Sequence, residues 1–269
     1  MPIFLLILAL AGGIFGVRHF KKRALRKELL QSPLLDGEWE IVVQHVPLVQ
    51  KLPRELRPKL EGKMSLFLHQ VDFVGCAGLE ITEDMQLSIA AQACLLVVNS
   101  DAWYTTLRTV FVYPSAFKSK TTTRQGYVTQ ERDVVRLGES WTRGPVILSW
   151  AHTAQGAIND VDGKNVVLHE FAHQLDSLSG NTNGLPLLNK RQSFVEWERV
   201  VLDAYARHLR HVEDNRKTVL DAYGAQNHEE FFAVAIEVFF EKPVRLAKEE
   251  PELYAQLSKL LRLDTAKWD

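Results

Sequence analysis

The residues of this chain best suited to chemistry lie in one short segment, NVVLHEFAHQLD, from Asn165 to Asp176. His169 and His173 are four residues apart, and on an α-helix this spacing places both imidazoles on one face, where they can bind a single metal ion. Glu170 is turned about 100° around the helix axis from His169. Its carboxylate can therefore reach a water on the metal rather than the metal itself. The pattern predicts zinc-dependent amide hydrolysis with Glu170 as the general base.

A catalytic zinc ion also needs a third protein ligand, and the best candidate is Glu230 in the segment NHEEFFAVAIEVFF. Apolar residues surround the acidic ones in this segment, and a carboxylate buried among them needs a partner. Glu229 and Glu237 are alternative ligands. Glu237, two turns beyond Glu230 on nearly the same face, also suits a residue that orients a ligating histidine. Asn227 and Glu230 are close to a capping-box arrangement, which would give Glu230 a structural role instead.

The other polar residues near these motifs have structural interpretations. Asp176 lies one turn past His173 and could orient that imidazole through its second nitrogen, or it could simply belong to the helix end. The two cysteines, Cys76 and Cys94, have no metal-type spacing, and we interpret them as buried, reduced residues, with a disulfide as the alternative. We interpret four further histidines as solvated or core residues: His152, His208, His211 and His228.

The segments that must position these residues predict an α+β fold, mostly helical with a small central β-sheet. Apolar residues recur at helical spacing in the first third of the chain and again after Trp150. The predicted helices span 39–49, 56–71, 83–98 with Thr82 as N-cap, 162–176, 189–211, 227–241 and 249–262. Short runs rich in β-branched, aromatic or apolar residues predict strands at 107–113, 133–137 and 146–150. The last of these strands could pair with an extended peptide beside the metal, as edge strands can.

Composition sets only broad limits on function. The chain has 269 residues, of which 46% are hydrophobic and 24% charged, so it can bury a large core. Its 32 basic and 33 acidic residues nearly balance. This balance gives no overall attraction to nucleic acid, and we predict no nucleic-acid partner.

The N-terminus departs from this ordinary composition. Residues 2–17 are uncharged, and six Lys or Arg follow between positions 18 and 27. An apolar run of this length falls just short of the roughly 17 to 25 residues that span a bilayer. We predict a tether to the inner membrane with the catalytic part held in the cytoplasm by the positive charges; a buried or interfacial helix is the alternative. The predicted organisation is an anchor with a basic stretch over 1–31 and a catalytic domain over 32–269.

The two motifs also carry a family resemblance. HEFAHQLD and DAYGAQNHEEFFAVAIEVFF, the latter from 221 to 240, resemble the zinc peptidases named Mlc titration factor A. The resemblance extends through VFVYPSAF (110–117) and GESWTRGPVILSW (138–150) and covers nearly all of the chain from about residue 36. A similar pair of motifs occurs in the catalytic domain of anthrax lethal factor. The N-terminal apolar run departs from the family pattern, whose best-known members are soluble cytosolic proteins.

The resemblance implies a zincin-like metallopeptidase fold built around an HExxH helix. It implies that His169, His173 and Glu230 bind Zn²⁺, that Glu170 is the base, and that the hydroxyl of Tyr223 supports the reacting carbonyl. A phenol with a pKa of about 10 stays protonated at neutral pH and can donate to an oxyanion. The implied substrates are peptides or proteins, with aminopeptidase action as one form of the activity. The implied alternative is a regulatory protein that sequesters a transcriptional repressor.

Overall fold

A computed structural model describes residues 2–125, 128–136, 138–140 and 144–268, with side chains described for 16–116, 138–139 and 144–268. The α-helices are α1 (Pro2–Leu29), α2 (Asp36–His45), α3 (Arg57–Gln70), α4 (Glu83–Leu95), α5 (Trp150–Ile158), α6 (Val166–Asp176), α7 (Phe194–Glu213), α8 (His228–Glu241), α9 (Pro243–Glu249) and α10 (Pro251–Leu261). The strands are β1 (Asp72–Gly75), β2 (Thr109–Tyr113), β3 (Phe117–Gln125), β4 (Val128–Arg136), β5 (Gly138–Ser140) and β6 (Val146–Ser149). The predicted α+β class, mostly helical with a small sheet, is confirmed.

Four of the strands form one mixed sheet in the order β1-β2-β6-β5. β1 pairs with β2 and β2 with β6 in parallel, whereas β5 runs antiparallel to β6 with Gly138 opposite Leu148. β3 and β4 form a separate antiparallel hairpin. The prediction that the strand at 146–150 is an edge strand is therefore wrong, because β2 and β5 occupy its two sides. β5 takes the edge position instead.

Several predicted boundaries differ from the structure for local reasons. The predicted helix over 39–49 ends at His45 and continues as a 3₁₀ helix over Pro47–Lys51, because Pro47 has no backbone N–H to donate into an α-helix. Trp150 begins α5 rather than ending the preceding strand. The N-cap at Thr82 is confirmed, since its side chain accepts a hydrogen bond from the Met85 N–H at 3.3 Å. The predicted strand at 133–137 overlaps β4, and its last residue, Leu137, lies outside the described residues.

The core surrounds the two helices that carry the chemical motifs. α6 packs against α8, α4 and α5, and it also contacts β5 and β6. Phe171 of α6 is fully buried, and its ring lies 5.7 Å from that of Phe67 and 5.1 Å from that of Tyr104. The apolar side of the motif helix is thus fixed from several directions, which leaves its polar side to face α8.

Among the described side chains of the N-terminal helix, those at its C-terminal end join this core. Leu29 and Leu30 pack against the core, whereas residues 16–28 are exposed. Within the described part of the chain, no helix is both long and apolar enough to cross a membrane. The side chains of residues 2–15 lie outside the described residues, so the tether over 2–17 and the boundary at residue 31 stay predictions.

The two cysteines are both free. Cys94 is completely buried in α4, as predicted. Cys76 is only partly buried, because it lies just after β1 at the start of a loop. The prediction of burial is therefore wrong for Cys76.

Candidate metal centre

The helix that carries the two motif histidines begins at a strong cap. The side-chain oxygen of Asn165 accepts hydrogen bonds from the N–H groups of Val167 and Leu168, at 3.1 and 3.0 Å. These bonds satisfy donors that the first turn of a helix leaves without intrahelical partners. The cap fixes where α6 starts, and so it fixes the direction in which His169 and His173 project.

Three of the predicted residues meet at one point. Nε2 of His169 and Nε2 of His173 lie 3.3 Å apart, and Oε2 of Glu230 lies 2.9 Å from the first and 3.5 Å from the second. One donor atom from each residue falls within 4.8 Å of the others. Two imidazole nitrogens and a carboxylate oxygen are ligands that suit a transition metal such as zinc. The structure thus brings together the candidate ligand set His169, His173 and Glu230.

Glu230 reaches this point because of where its helix begins. Its N–H donates to the side-chain oxygen of Asn227 at 2.8 Å, so Asn227 is the N-cap of α8. The carboxylate of Glu230 contacts the histidines instead of folding back on the cap, which argues against a purely structural role. Glu229 precedes it on α8, is also only partly buried, and is not part of the convergent group.

Glu237 contacts His169 at Nδ1, the ring nitrogen opposite the one that meets His173 and Glu230. Its Oε1 accepts from Nδ1 of His169 at 2.7 Å, and its Oε2 accepts from the N–H of Asn165 at 2.6 Å. A carboxylate on the far nitrogen fixes the tautomer and the ring orientation of a ligating histidine. Of the two roles open to Glu237 from the sequence, the geometry favours orientation of His169 over direct ligation.

The electrostatics of the group favour a cation. Burial opposes protonation of His169, but its hydrogen bonds to Glu230 and Glu237 raise its pKa well above the usual value. Burial would raise the pKa of Glu230, but hydrogen bonds from His169 and His173 lower it to about 2. The site therefore concentrates negative charge around the two imidazoles. A metal ion would compete there with the proton on His169.

A second buried carboxylate, Glu241, holds the segment just before the motif helix. Its Oε2 accepts from the N–H groups of Gly163 and Lys164 at 2.8 and 3.0 Å. Burial raises the pKa of this carboxyl from 4.5 to about 8. Because Glu241 and Glu237 are one helical turn apart, α8 binds the entry to α6 through two neighbouring carboxyl groups.

Replacing this carboxyl by an amide should change how stability depends on pH. A folded-state pKa near 8, above the unfolded value of 4.5, means that protonated Glu241 stabilises the fold fully below about pH 4.5, and that this contribution is lost as pH rises through about 8. Glu241→Gln stays neutral, and its amide oxygen can still accept the backbone N–H groups. Between about pH 6 and about pH 9, the unfolding free energy of the unmodified chain should therefore fall by about 2 to 3 kcal/mol relative to the variant.

Urea unfolding of both proteins at the two pH values measures this difference. The matched control is Glu198→Gln, because Glu198 is exposed on α7. This control should follow the unmodified chain at every pH. If the free energies of unfolding of Glu241→Gln and of the unmodified chain change equally between the two pH values, burial does not raise the pKa of Glu241 as described.

Tyr223 lies beside the ligand group on a short 3₁₀ turn, Ala222–Ala225. Its ring centroid is 5.8 Å from that of His169, and 45% of its surface is exposed. Asp221 holds the turn: one carboxylate oxygen accepts from the Tyr223 N–H at 2.9 Å, and the other pairs with Lys164 at 2.9 Å. The hydrogen bond to Asp221 also raises the pKa of Lys164. The tyrosine turn is thus tied to the segment that precedes α6.

Asp176 belongs to the helix end. Its Oδ2 accepts from the N–H groups of Asn183 and Gly184, at 2.8 and 2.7 Å, and so closes the loop that follows α6. Burial raises its pKa to about 6. Nδ1 of His173 has no hydrogen-bond partner among the described residues. Of the two interpretations open from the sequence, the structure supports closure of the loop rather than orientation of His173.

The four further histidines considered from the sequence do not join the candidate ligand group. His208 is buried against Phe231, and the ring of His228 lies 4.3 Å from that of Tyr205. His152 is partly buried and hydrogen-bonds Ser149 at 2.8 Å. Partly buried His211 lies in the last turn of α7. Their placement agrees with the prediction of solvated or core roles.

Sequence reasoning missed three residues that shape the site: Lys164, Asp221 and Gly138. Lys164 and Asp221 are 57 positions apart in the chain and pair only because α6 and α8 pack together. No periodicity in the sequence marks such a pair. Gly138 lies in β5, a strand of three residues, which is too short to produce a recognisable strand pattern.

Comparisons with known proteins agree with this geometry. The model of the family described as glucose-regulated metallo-peptidase M90 matches residues 19–262. The uncharacterised protein slr2042 of Synechocystis sp. is 40% identical over 265 residues, covering 97% of this chain and 96% of that protein. Mlc titration factor A of Klebsiella pneumoniae is 32% identical, with 84% of this chain and 86% of that protein covered. Mlc titration factor A of Yersinia pestis is 31% identical, with 82% of each covered.

These matches extend beyond the two motifs and span most of the folded part of the chain. They confirm the resemblance drawn from HEFAHQLD and the segment 221–240. Together with the convergent His169, His173 and Glu230, they indicate a metallopeptidase with a candidate metal site. The chain belongs to the glucose-regulated metallo-peptidase M90 family.

Proposed function

We propose that this protein is a zinc-dependent peptidase that hydrolyses peptide bonds at the site formed by α6 and α8. The observation that carries the proposal is the convergence of His169 Nε2, His173 Nε2 and Glu230 Oε2, with Glu170 adjacent on the same helix. Two neutral nitrogen ligands and one carboxylate match the donor set of catalytic zinc sites. When bound, zinc supplies Lewis-acid chemistry, which lowers the pKa of a water and polarises a carbonyl.

The residues of the chain then have separate tasks. Glu170 accepts a proton from the attacking water and later donates it to the departing nitrogen. Its side chain is 6% exposed, so few waters compete for the carboxylate. Tyr223 is exposed enough to meet a substrate, and its hydroxyl donates to the oxygen of the reacting carbonyl. Glu237 keeps His169 oriented throughout.

The edge strand gives a substrate a place to bind. Among the described strands, β5 pairs with β6 alone, which leaves its outer side for a further strand. Gly138 of β5 lies directly against Glu170. A peptide that adds to β5 in extended form would gain main-chain hydrogen bonds there, and its backbone would run close to the general base. Extended peptides are therefore the substrate class we infer.

A zinc assay combined with a peptide-library digest tests the proposal on the purified full-length chain. We expect close to one zinc per chain and cleavage that a chelator abolishes and zinc restores. Release of single N-terminal residues would indicate the aminopeptidase action that the family resemblance suggests, whereas internal cuts would indicate an endopeptidase. Absence of both zinc and cleavage would contradict the proposal.

A second candidate function is binding of a transcriptional repressor. The relatives named Mlc titration factor A carry a name that refers to titration of Mlc. We infer that this chain could bind a repressor of the same kind, with peptidase activity secondary. Co-purification of a repressor with a hydrolysis-deficient variant distinguishes the two functions, because binding alone does not need the general base.

We also propose that residues 2–17 tether the protein to the cytoplasmic face of the inner membrane. The support is the sequence, in which an uncharged run precedes six basic residues, and the exposure of those residues on α1. Phe20 on the same helix is 75% exposed. Basic side chains next to an apolar segment favour contact with anionic headgroups.

Removal of the apolar run tests the tether. Deletion of residues 2–17 leaves Leu29 and Leu30 packed against the core, so the folded part should be unaffected. The full-length chain should sediment with membranes even after a high-salt wash. The shortened chain should be released by that wash, because only screened electrostatic contacts remain. Recovery of the full-length chain in the soluble fraction would contradict the tether.

A further inference from the structure

The glycine that begins the edge strand lies in contact with the proposed general base. A Cβ added at Gly138 would lie 2.5 Å from Oε1 of Glu170, 2.6 Å from its Cγ and 2.7 Å from Cγ2 of Val166. Unbonded carbon atoms approach to about 3.5 Å at their optimum. A methyl group at this position would therefore overlap three atoms at once.

The two contacted residues belong to one face of the motif helix. Val166 and Glu170 are four apart on α6, so their side chains lie next to each other and face β5 together. Antiparallel pairing with Leu148 of β6 fixes the position of Gly138. Glu170 is almost fully buried and has little room to move aside. The strand can lie this close to α6 only because residue 138 has no side chain.

We propose that Gly138 is a positioning residue for Glu170: the bare backbone of β5 holds the carboxylate of the general base in place beside the metal ligands. The inference rests on the proposed peptidase function, in which Glu170 activates water. It assigns a task to a residue that touches neither metal nor the reacting atoms. It also explains why the edge strand begins with a glycine, although its φ angle is not in the left-handed region.

The first test is Gly138→Ala. To restore an ordinary contact, Glu170 must move by about 1 Å, and a misplacement of this size can lower a rate by about 10²-fold. We expect kcat to fall by about 10²-fold, KM to change by less than about three-fold, and zinc content to be unchanged. The matched control is Gly37→Ala, because no atom lies within 4 Å of a Cβ added at Gly37. This control should keep both kinetic constants.

Two further variants show whether the effect passes through Glu170. Val166→Ala in the Gly138→Ala background removes only the Val166 contact, and it should not restore kcat. Glu170→Asp shortens the side chain that the methyl group overlaps. In the Glu170→Asp background, Gly138→Ala should therefore lower kcat by far less than the roughly 10²-fold expected when residue 170 is glutamate. A crystal structure of Gly138→Ala should show the Glu170 carboxylate displaced.

Each outcome has a definite meaning. Full activity of Gly138→Ala, or recovery of kcat when Val166→Ala is added, would overturn the inference. So would an equal loss of kcat on Gly138→Ala in the unmodified and the Glu170→Asp backgrounds. Loss of zinc together with activity in Gly138→Ala would also overturn it. If Gly138→Ala does not fold, the double variant with Glu170→Asp should fold. If the double variant also fails to fold, the methyl group does not act through Glu170, and the inference is overturned. If the unmodified chain has no peptidase activity, the proposed function is contradicted instead. The crystal structure of Gly138→Ala would still show whether Gly138 holds the Glu170 carboxylate in place.

Discussion

Glu170→Gln should reduce peptide hydrolysis by about 10³-fold or more and leave zinc content unchanged. The amide has nearly the shape of the carboxylate, so it fits the same buried space next to β5. It cannot accept a proton from water, and the proton transfer that starts the reaction is lost. Metal content is retained because Glu170 is not among the three convergent ligand residues. Steady-state cleavage of a library-derived peptide and metal analysis of the same sample measure both effects.

The control for this variant is Glu198→Gln, the same change at an exposed position on α7. It should retain full activity. Glu170→Gln should also retain any binding to a repressor, which makes it the variant for separating the two candidate functions. Undiminished turnover by Glu170→Gln would exclude Glu170 as the base.

The second large effect concerns the third ligand. Glu230→Ala should lose most of its zinc at low micromolar free metal, because only two imidazoles remain in the ligand set. Glu237→Ala should keep zinc under the same conditions, with an affinity lower by about 10- to 100-fold, since it removes only the partner of His169 Nδ1. Equilibrium dialysis against buffered zinc measures both affinities.

The comparison of these two variants is informative because both residues lie on α8 and both hydrogen-bond His169. Glu229→Ala is the control, since Glu229 is the half-buried neighbour of Glu230 on the same helix and lies outside the convergent group. It should bind zinc as the unmodified chain does. Full zinc occupancy in Glu230→Ala together with loss in Glu237→Ala would reverse the assignment of ligand and orienting residue.

The candidate ligand set and its two helices could be predicted from the sequence because their signals are local. The spacing of His169 and His173 is a property of one helix, and the apolar residues around Glu230 mark another. Family resemblance then indicated which acidic residue faces the histidines. Local signals also located the N-cap at Thr82 and most helices of the chain.

Features that depend on distant pairing were not predictable in this way. The edge position of β5 follows from its pairing with β6, and nothing within the three residues of β5 indicates it. The pairing of Lys164 with Asp221 and the contact of Gly138 with Glu170 likewise depend on how whole elements pack. Sequence periodicity reports which face of an element is apolar, but it does not report which neighbour covers that face.

Glu237 accepts hydrogen bonds from His169, a candidate metal ligand, and from the N–H of Asn165, where α6 begins. One carboxylate therefore joins the candidate metal centre to the start of the helix, and Glu241 extends this connection to the N–H groups of Gly163 and Lys164. Metal binding and local opening of this segment should consequently be thermodynamically linked. Loading with zinc should slow hydrogen exchange at these three amides, even though none of them belongs to a candidate ligand residue.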